Sequence, residues 1–434
     1  MAWSGAKVNG RRVAIVGGLR TPFMKSGGAY KKLSALDLAK AVVNELVQRL
    51  DLEADQVDQL VYGQVVPNPH APNIAREIVL GTPLPRSIEA YTVSRACATS
   101  TQALVNAAHA ILTGEADVVI CGGADSLSRP PITYSDPLTD ALMKANRARD
   151  PMSKAKAFLE VGPKDFLPNP PSIKEMSTGL TMGQSAEKMA KENGISREAQ
   201  DEFAVRSHRK SAEAWEKGIF KDEVLRFPLP PRLEEMVEKD NLVRPDASTK
   251  AMARLRPVFD KKYGSVTAGS SSPLTDGASA LLVMSDKKAK ALGYEPLAYL
   301  KSWAFAALDP SWQLLMGPSF ASPKALDRAG MRLSDIDLVD MHEAFSAQML
   351  SNLQAFASKE WAKKWLGRDE AIGEIEDDKL NIYGGSISLG HPFGATGARQ
   401  VLTMSNELAR RDGGTALVTQ CAAGGLGAAV IIER

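Results

Sequence analysis

The chain has 434 residues, of which 44% are hydrophobic and 24% are charged, with 34 glycines and 25 prolines. This composition excludes collagen-like, low-complexity and largely disordered proteins, and the length predicts two domains or two fused halves. The 53 Lys and Arg residues nearly balance the 51 Asp and Glu residues, so the net charge is only +2. A chain with this charge has no general attraction to nucleic acid, and we expect no nucleic-acid partner.

The three cysteines, Cys97, Cys121 and Cys421, are too few and too widely spaced for a disulfide framework. No pair of them has the spacing of a metal site, and we expect no resident metal. No apolar run approaches the roughly 18 residues that a membrane span requires. About a dozen residues precede the first strand-like run, which is too few for a signal peptide. We therefore expect a cytoplasmic protein.

Short β-branched runs alternate with amphipathic helical patterns, which predicts an α/β fold with a mainly parallel sheet. In chain order, the predicted strands cover 13–18, 60–66, 116–123, 338–342, 416–422 and 428–434. The clearest predicted helices cover 35–50, 99–112 and 396–411.

Two pairs of segments in this series are similar to each other. Residues 54–64 resemble 333–343, and 103–125 resemble 397–425, where a helix, a strand and a glycine-rich turn follow in the same order. This repetition predicts a duplicated α/β unit, although generic βαβ units also resemble one another by chance. Residues 126–262 interrupt the alternation and are richer in proline and charge, which indicates an insertion on one half.

Within the insertion, residues 138–161 interleave basic and apolar side chains. The basic residues are Lys144, Arg147, Arg149, Lys154 and Lys156, and the apolar ones are Leu142, Met143, Met152, Phe158 and Leu159. A basic amphipathic stretch can lie on a membrane surface or on a partner protein, and it can equally be a solvated helix face over a small core.

Cys97 is a candidate nucleophile, because it lies between a strand-like run (AYTVS, 90–94) and a predicted helix. The positive end of a helix dipole lowers the pKa of a thiol, and the free backbone N–H groups there can hold an oxyanion. Many cysteines are inert core residues, and on this feature alone the two interpretations are balanced.

Three further segments place reactive side chains at predicted junctions of strand and loop. His391 lies in the glycine-dense loop 384–399, His342 and Glu343 follow a strand, and Cys421 lies at the end of another strand. Open α/β sheets form their sites at the carboxyl ends of strands, so two thiols and two imidazoles can converge there. The remaining candidates are interpreted as core residues: Cys121, His109 and His208.

In order and spacing, these segments resemble the thiolases over nearly the whole chain. The motifs that carry the resemblance are GLRTPF (18–23), SRACATS (94–100), MGQSAEKMA (182–190), ARLRPVFD (253–260), SVTAGSSSPLTDGASA (265–280), HEAF (342–345), GGSISLGHPFGATGAR (384–399) and CAAGGLG (421–427). The resemblance implies a duplicated thiolase fold with five layers, α-β-α-β-α. It also implies an N-terminal half at 1–125 plus 263–285, an inserted CoA-binding loop domain at 126–262 and a C-terminal half at 286–434.

The sequence departs from many thiolases at three places. His342 stands where many have Asn, Ala423 stands where many have Gly, and no His precedes Met182-Gly183 as it does in some relatives. HEAF and CAAGG, with GQVV (63–66) and APNIAREIVLG (71–81), are similar to the β-subunit type of the fatty-acid-oxidation (trifunctional) multienzyme complex. That type is a 3-ketoacyl-CoA thiolase paired with a hydratase/dehydrogenase α-subunit.

The resemblance implies thiolytic cleavage of a 3-ketoacyl-CoA by CoA, which is a substrate and not a cofactor. It assigns Cys97 as the nucleophile, His391 as its base and Cys421 as the acid that protonates the expelled enolate. His342 acts with His391 on the enolate oxygen, and the backbone N–H groups of Cys97 and Ala423 hold the second oxyanion.

Other positions follow from the resemblance as expectations. The candidates for CoA contacts are Ser272, Ala268, Met182 and Phe259, and the candidates for the walls of the acyl pocket are Phe345 and Met316. Glu343 is expected to orient the site rather than to act as a base. The resemblance also implies a homodimer, assembled with the α-subunit as α2β2, in which 138–161 is a candidate for the docking surface or for a peripheral membrane contact.

Three other functions remain open at this point. A biosynthetic acetoacetyl-CoA thiolase would share the chemistry and differ in chain-length preference. A decarboxylating ketoacyl synthase would be expected to have a Cys-His-His site instead of the second cysteine at 421. A non-catalytic thiolase-like lipid carrier or scaffold is the third alternative, and the four intact catalytic segments argue against it.

Overall fold

The computed structural model describes residues 10–169 and 174–434, which include all the predicted site residues. Its strands are β1 (Val13–Arg20), β2 (Met24–Lys25), β3 (Gln59–Gly63), β4 (Glu89–Val93), β5 (Val118–Ser126), β6 (Phe227–Pro228), β7 (Met236–Val237), β8 (Thr275–Ser285), β9 (Ala298–Ala307), β10 (Leu338–Met341), β11 (Thr415–Ala422) and β12 (Leu426–Glu433). Its helices are α1 (Ala35–Arg49), α2 (Ile74–Leu80), α3 (Thr99–Thr113), α4 (Asp136–Arg147), α5 (Pro151–Lys156), α6 (Met182–Glu192), α7 (Arg197–Glu216), α8 (Thr249–Met252), α9 (Asp286–Ala291), α10 (Gly317–Ala329), α11 (Ser346–Ala357), α12 (Lys359–Leu366), α13 (Ser386–Leu389) and α14 (Thr396–Arg410).

Ten of these strands form one mixed sheet in the order β10-β11-β12-β9-β1-β8-β5-β3-β4, with β2 beside β8. In one half, β8 is antiparallel to both β1 and β5, and β3 is parallel to both β5 and β4. The other half repeats this arrangement, because β12 is antiparallel to both β9 and β11, and β10 is parallel to β11. The two halves meet where β1 pairs with β9.

The prediction of a mainly parallel sheet is wrong, for a reason that lies in the connections. β12 follows β11 across the short turn 423–425, and a connection of that length permits only antiparallel pairing. β8 and β9, which the sequence patterns do not predict, supply the other antiparallel pairs. The two pairs of similar segments nevertheless occupy equivalent places, with β3 and β10 in one pair and β5 and β11 in the other.

Three apolar clusters stack the elements into five layers. α1 and α2 cover the outer face of β1, β3, β5 and β8, α3 and α14 fill the space between the two sets of strands, and α10 and α11 cover the outer face of β9–β12. β1 illustrates this, since Val13 and Ile15 face the middle helices while Ala14 and Val16 face the outer ones. The predicted α-β-α-β-α arrangement is confirmed.

A buried ion-pair network joins the segment 126–262 to β1. The Nη1 and Nη2 atoms of Arg20 donate to the Asp240 carboxylate at 2.7 and 3.0 Å, and its Nε donates to Glu223 at 2.8 Å. Thr403 on α14 donates to the same Glu223 carboxylate at 2.9 Å. Because these charges are shielded from water, each is stabilised by its partners alone. The network therefore holds β1, α14 and the segment that carries Glu223 and Asp240 together.

Residues 138–161 form parts of two short helices, α4 and α5, instead of one continuous amphipathic helix. Their apolar side chains reach the solvent, since Met143, Met152 and Leu159 are 49%, 66% and 80% exposed. Among the described residues, the helices are all too short or too polar to cross a membrane.

Candidate active site

Cys97 lies two residues before α3, after the loop that leaves β4. The preceding Ala96 has φ +44°, a left-handed conformation that side-chain-bearing residues rarely adopt. Thr99 fixes this turn, because its Oγ1 accepts from the Arg95 N–H at 2.7 Å and donates to the Ala96 carbonyl at 2.7 Å. The turn leaves Cys97 partly exposed, whereas the other two cysteines are buried.

The imidazoles of His391 and His342 lie beside this thiol, with their ring centroids 4.2 Å apart. Cys97 Sγ and one nitrogen of each ring lie within 4.8 Å of one another. The Nδ1 of His342 is 2.9 Å from Ser386 Oγ, and the Nδ1 of His391 is 2.7 Å from Thr396 Oγ1. Both Nε2 atoms are buried without a hydrogen-bond partner among the described residues. Each ring is therefore anchored on one side and presents a free nitrogen on the other.

Burial keeps these groups neutral in the free protein. Although part of the Cys97 residue is exposed, burial of its thiol raises the pKa to about 11 and outweighs the hydrogen bonds from the N–H groups of Ala423 and Cys97 that favour the thiolate. Burial, followed by the positive charge of Arg399, lowers the pKa of His391 to about 3. Burial and the neighbouring His391 lower the pKa of His342 well below its ordinary value. The backbone N–H group of Cys97, just before α3, thus favours the thiolate, as expected, but desolvation is the larger effect and the net pKa of the thiol is raised.

Cys421 lies at the end of β11, where burial and then the nearby Cys97 raise its pKa well above the ordinary value of a thiol. The turn that follows requires glycine at two positions, because Gly424 and Gly425 have φ values of +81° and +67°. Ala423 lies outside that left-handed region, so alanine is compatible with an N–H group that points at Cys97.

Glu343 is buried and hydrogen-bonded through both carboxylate oxygens. Oε1 accepts from Asn381 Nδ2 at 2.8 Å, and Oε2 accepts from Ser207 Oγ at 2.6 Å and from the Ile387 N–H at 3.3 Å. Burial raises the pKa of this carboxyl group. These bonds hold the segment before His391 against α7.

An apolar cluster beside Cys421 contains four of the predicted substrate contacts. Phe345 and Met316 are buried in it, and Met182 and Phe259 pack against them. The rings of Phe259 and Phe345 meet edge to face with their centroids 6.0 Å apart. The structure therefore brings together residues that lie up to 163 positions apart in the sequence, from Met182 to Phe345.

A cavity of about 250 Å³ lies near the other two predicted contacts. Ala268 lines it, together with Ser271, and the N–H of the adjacent Ser272 donates to the Ala344 carbonyl at 2.9 Å. Arg244 and His208 line the same cavity. These contacts place the loop around Ala268 between the HEAF segment and the cavity wall that Arg244 and His208 form.

Sequence reasoning missed some of the residues around the site and misjudged others. Arg244 belongs to no motif, and His208, interpreted only as a core residue, is buried but lines the cavity and accepts from the Arg244 N–H at 3.2 Å. Asp125 was also missed; it accepts from the N–H groups of Val66 and Gly394 at 2.8 Å each, and burial raises its pKa to about 6. His109, interpreted as core, is exposed. Cys121 is fully buried in β5, as expected.

Two family sequence profiles match almost the whole chain. The thiolase N-terminal domain matches residues 13–287, and the thiolase C-terminal domain matches residues 294–434. The chain belongs to the thiolase family. The resemblance inferred from the sequence motifs is therefore confirmed, and the duplicated, five-layered fold agrees with it.

Individual relatives extend this similarity over the full length. The 3-ketoacyl-CoA thiolase of Shewanella amazonensis is 56% identical over 98% of this chain and 97% of that protein, and that of Shewanella loihica is 55% identical over the same shares. Among solved structures, human mitochondrial 3-ketoacyl-CoA thiolase in complex with CoA matches with a TM-score of 0.81 and 30% identity over 98% of both chains. The acetyl-CoA acetyltransferase of Bacillus anthracis matches with a TM-score of 0.81 and 31% identity over 98% of both chains.

Proposed function

We propose that this chain is a 3-ketoacyl-CoA thiolase, an acyltransferase that cleaves a 3-ketoacyl-CoA with CoA in fatty-acid β-oxidation. The products are acetyl-CoA and an acyl-CoA that is two carbons shorter. The observation that carries the proposal is the grouping of a thiol with two imidazoles whose Nε2 atoms are free, beside a second buried thiol. The names of the relatives with 55% and 56% identity support the same activity.

In the first half-reaction, Cys97 Sγ attacks the 3-keto carbon and its proton passes to His391 Nε2. The Nδ1 of His391 then carries the proton that is donated to Thr396 Oγ1, which leaves the Nε2 lone pair free. Because the pKa of the thiol is about 11 and that of the imidazole about 3, the proton remains on sulfur in the free enzyme. Proton transfer therefore accompanies the attack, when negative charge develops on the substrate beside the imidazole.

Cleavage of the C2–C3 bond leaves the shortened acyl group on Cys97 as a thioester and expels the enolate of acetyl-CoA. Cys421 gives its proton to C2 of this enolate, and its raised pKa keeps it protonated until then. In the second half-reaction, the Cys421 thiolate takes the proton of the incoming CoA thiol. The CoA sulfur attacks the thioester carbon and Cys97 leaves as a thiolate, which recovers its proton from His391.

Negative charge develops at two places in this scheme. Once His391 Nε2 has taken the proton of Cys97, it can donate to the thioester oxygen of the enolate. His342 Nε2 can donate there as well, in the tautomer whose Nδ1 accepts from Ser386 Oγ. The backbone N–H groups of Ala423 and Cys97 point at Cys97 Sγ, which supports a role for them as donors to the oxygen of the carbon under attack. Removal of one donor from such a site typically raises the barrier by about 3 kcal/mol.

In this proposal, CoA is a substrate and the enzyme needs no resident cofactor. The pantetheine chain extends past Ser272 and Ala268 toward the cavity, where Arg244 supplies a positive charge for the phosphates. The acyl chain lies against the apolar side chains of Phe345 and Met316, which adjoin the reacting thiols.

Replacement of the nucleophile tests the proposal. Cys97→Ser is expected to lower kcat for thiolysis by at least about 10³-fold, because the alcohol is a poorer nucleophile and its ester a poorer acyl donor. Cys121→Ala is the matched control, since this cysteine is buried in β5 outside the site and its loss should leave kcat nearly unchanged. Full activity of the Cys97→Ser variant would contradict the proposed mechanism.

We also propose that the chain is a cytoplasmic homodimer that docks on a hydratase/dehydrogenase α-subunit as α2β2 through residues 138–161. The support is the exposure of Met143, Met152 and Leu159 beside basic residues of the same segment. Apolar side chains that are exposed as a group mark interaction sites more often than isolated ones do.

The docking proposal is tested by replacing Met143, Met152 and Leu159 with serine. Co-purification with the α-subunit should be lost, while thiolysis of a soluble short-chain substrate continues. Leu292→Ser is the control, because Leu292 is also exposed but lies outside the segment. Retained co-purification contradicts docking through this surface, and loss of binding to anionic vesicles instead would indicate a membrane contact.

A further inference from the structure

A chain of hydrogen bonds joins five polar side chains in the middle layer of the fold. Thr101 Oγ1 donates to Gln420 Oε1 at 2.7 Å, and Gln420 Nε2 donates to Gln400 Oε1 at 2.6 Å. Gln400 Nε2 and Arg399 Nη1 donate to the two oxygens of Asp340 at 2.7 and 2.9 Å. Each of the five residues is at most 1% exposed, so water does not compete for these bonds. We call this set the interhalf network.

On one side, the interhalf network links the segments of the two thiols. Thr101 lies in the first turn of α3, which begins two residues after Cys97, and Gln420 directly precedes Cys421 in β11. Their hydrogen bond spans 319 residues of sequence and connects the N-terminal half to the C-terminal half. A displacement of α3 relative to β11 would therefore break this bond as well as separate the two sulfur atoms.

On the other side, the interhalf network reaches the segments of the two histidines. Asp340 lies two residues before His342, and Arg399 and Gln400 lie in α14, which begins just after the loop of His391. The positive charge of Arg399 contributes to the lowered pKa of both imidazoles, so this guanidinium lies close enough to act on them. All four segments that carry catalytic side chains thus have a member of the network or adjoin one.

We infer that the interhalf network positions the nucleophile of one half against the acid and the histidines of the other half. The inference rests on the proposed thiolase function. Because water is excluded at this depth, a lost bond leaves a buried polar group without its partner, so each member constrains the next. α3 and α14 are also in close contact here, because a Cβ added at Gly397 would lie 2.2 Å from Thr101 Oγ1. A shift of about 1 Å in a reacting group typically costs about 10²-fold in rate.

The test compares two buried threonines that each lose one hydroxyl group. Thr101→Val removes the donor to Gln420. Thr403→Val removes the buried hydrogen bonds from α14 to the Glu223 carboxylate and to the Arg399 backbone carbonyl, neither of which belongs to the interhalf network. Thr101→Ser keeps the hydroxyl group and is the rescue variant. For each variant, kcat and KM for thiolysis are measured together with the melting temperature.

We expect Thr101→Val to lower kcat about 10- to 100-fold with KM within about threefold of the wild-type value. Thr101→Ser and Thr403→Val should retain kcat within about threefold, although Thr403→Val should lower the melting temperature about as much as Thr101→Val. A Thr101→Val enzyme with unchanged kcat overturns the inference, and so does an equal loss in Thr403→Val. A wild-type enzyme without thiolysis activity would instead refute the proposed function itself.

A second variant keeps the inference testable if Thr101→Val folds poorly. Gln420→Met removes the middle link with little change in volume, and by itself it should lower kcat about 10- to 100-fold, so an unchanged kcat in this variant would also overturn the inference. Where both single variants fold, the double variant completes the cycle. If the two residues act through one network, the loss of kcat in the double variant should equal that of the worse single variant. Multiplied losses would show that they act independently and would overturn the inference.

Discussion

Alkylation of Cys97 tests the charge state of the free enzyme directly. Burial raises the pKa of this thiol from an ordinary value of 9.0 to about 11. At pH 8 the fraction of reactive thiolate is therefore about a hundredfold lower than for an exposed cysteine. Iodoacetamide loses iodide and develops no oxyanion next to the histidines, so its rate follows the thiolate fraction alone. We expect the rate to rise about tenfold per pH unit between pH 7 and pH 10.

The assay quantifies the alkylated Cys97 peptide by mass spectrometry, with an unstructured cysteine peptide as the reference. Cys121 and Cys421 should react more slowly, because both are buried and have pKa values raised by that burial. His391→Asn should leave the pH profile of Cys97 unchanged, since a neutral imidazole with a pKa of about 3 does not hold a thiolate at neutral pH. A rate plateau below pH 8 that His391→Asn abolishes would refute the reasoning, because it would reveal a preformed thiolate–imidazolium pair.

Three further measurements follow from the structure. Arg20→Met should lower the free energy of unfolding in urea by about 3–5 kcal/mol, because it leaves two buried carboxylates unpaired. Arg226→Met, the control at an exposed ion pair, should change it by less than about 1 kcal/mol. Equal losses in the two variants would contradict the buried network. Between pH 6.5 and about pH 3, His391 is protonated in the unfolded chain but neutral in the folded protein. This residue therefore makes the free energy of unfolding fall as the pH drops through that range. His391→Asn should reduce the slope of the free energy of unfolding against pH by about 1.4 kcal/mol per unit there, and an unchanged slope would count against a buried neutral imidazole. Cys97, His342 and His391 are close enough to hold a metal ion, but dialysis against EDTA should leave thiolysis unchanged. A loss of activity that zinc restores would contradict the assignment of Cys97 as the nucleophile.

The class of the fold could be predicted from the sequence because helices and strands leave local patterns. The predicted strands at 13–18 and 416–422 lie within one or two residues of β1 and β11. The directions of the strands could not be predicted in the same way, since pairing is decided by residues that are far apart. β8 pairs with β1 and β5 on either side, and its partners lie more than a hundred positions earlier in the chain.

The residues of the candidate site also divide into those that a local sequence pattern predicts and those whose contacts are decided by distant residues. Cys97, His391 and Cys421 stand in glycine-rich or helix-initiating motifs, which are local signals, and the structure brings them together. The bond between Thr101 and Gln420 has no local signal, because each residue alone is an ordinary helix or strand residue. The pKa of Cys97 also escaped prediction, since the helix end is visible in the sequence but the depth of burial is not.

The measurement that tests the central claim most directly is CoA-dependent thiolysis across a series of chain lengths. Substrates from acetoacetyl-CoA to 3-ketohexadecanoyl-CoA are followed by the loss of enolate absorbance. The account predicts a rate that requires CoA and rises with chain length, as expected for a β-oxidation thiolase. Activity confined to acetoacetyl-CoA would contradict that role and favour the biosynthetic alternative, and no activity with any substrate would contradict the proposed chemistry.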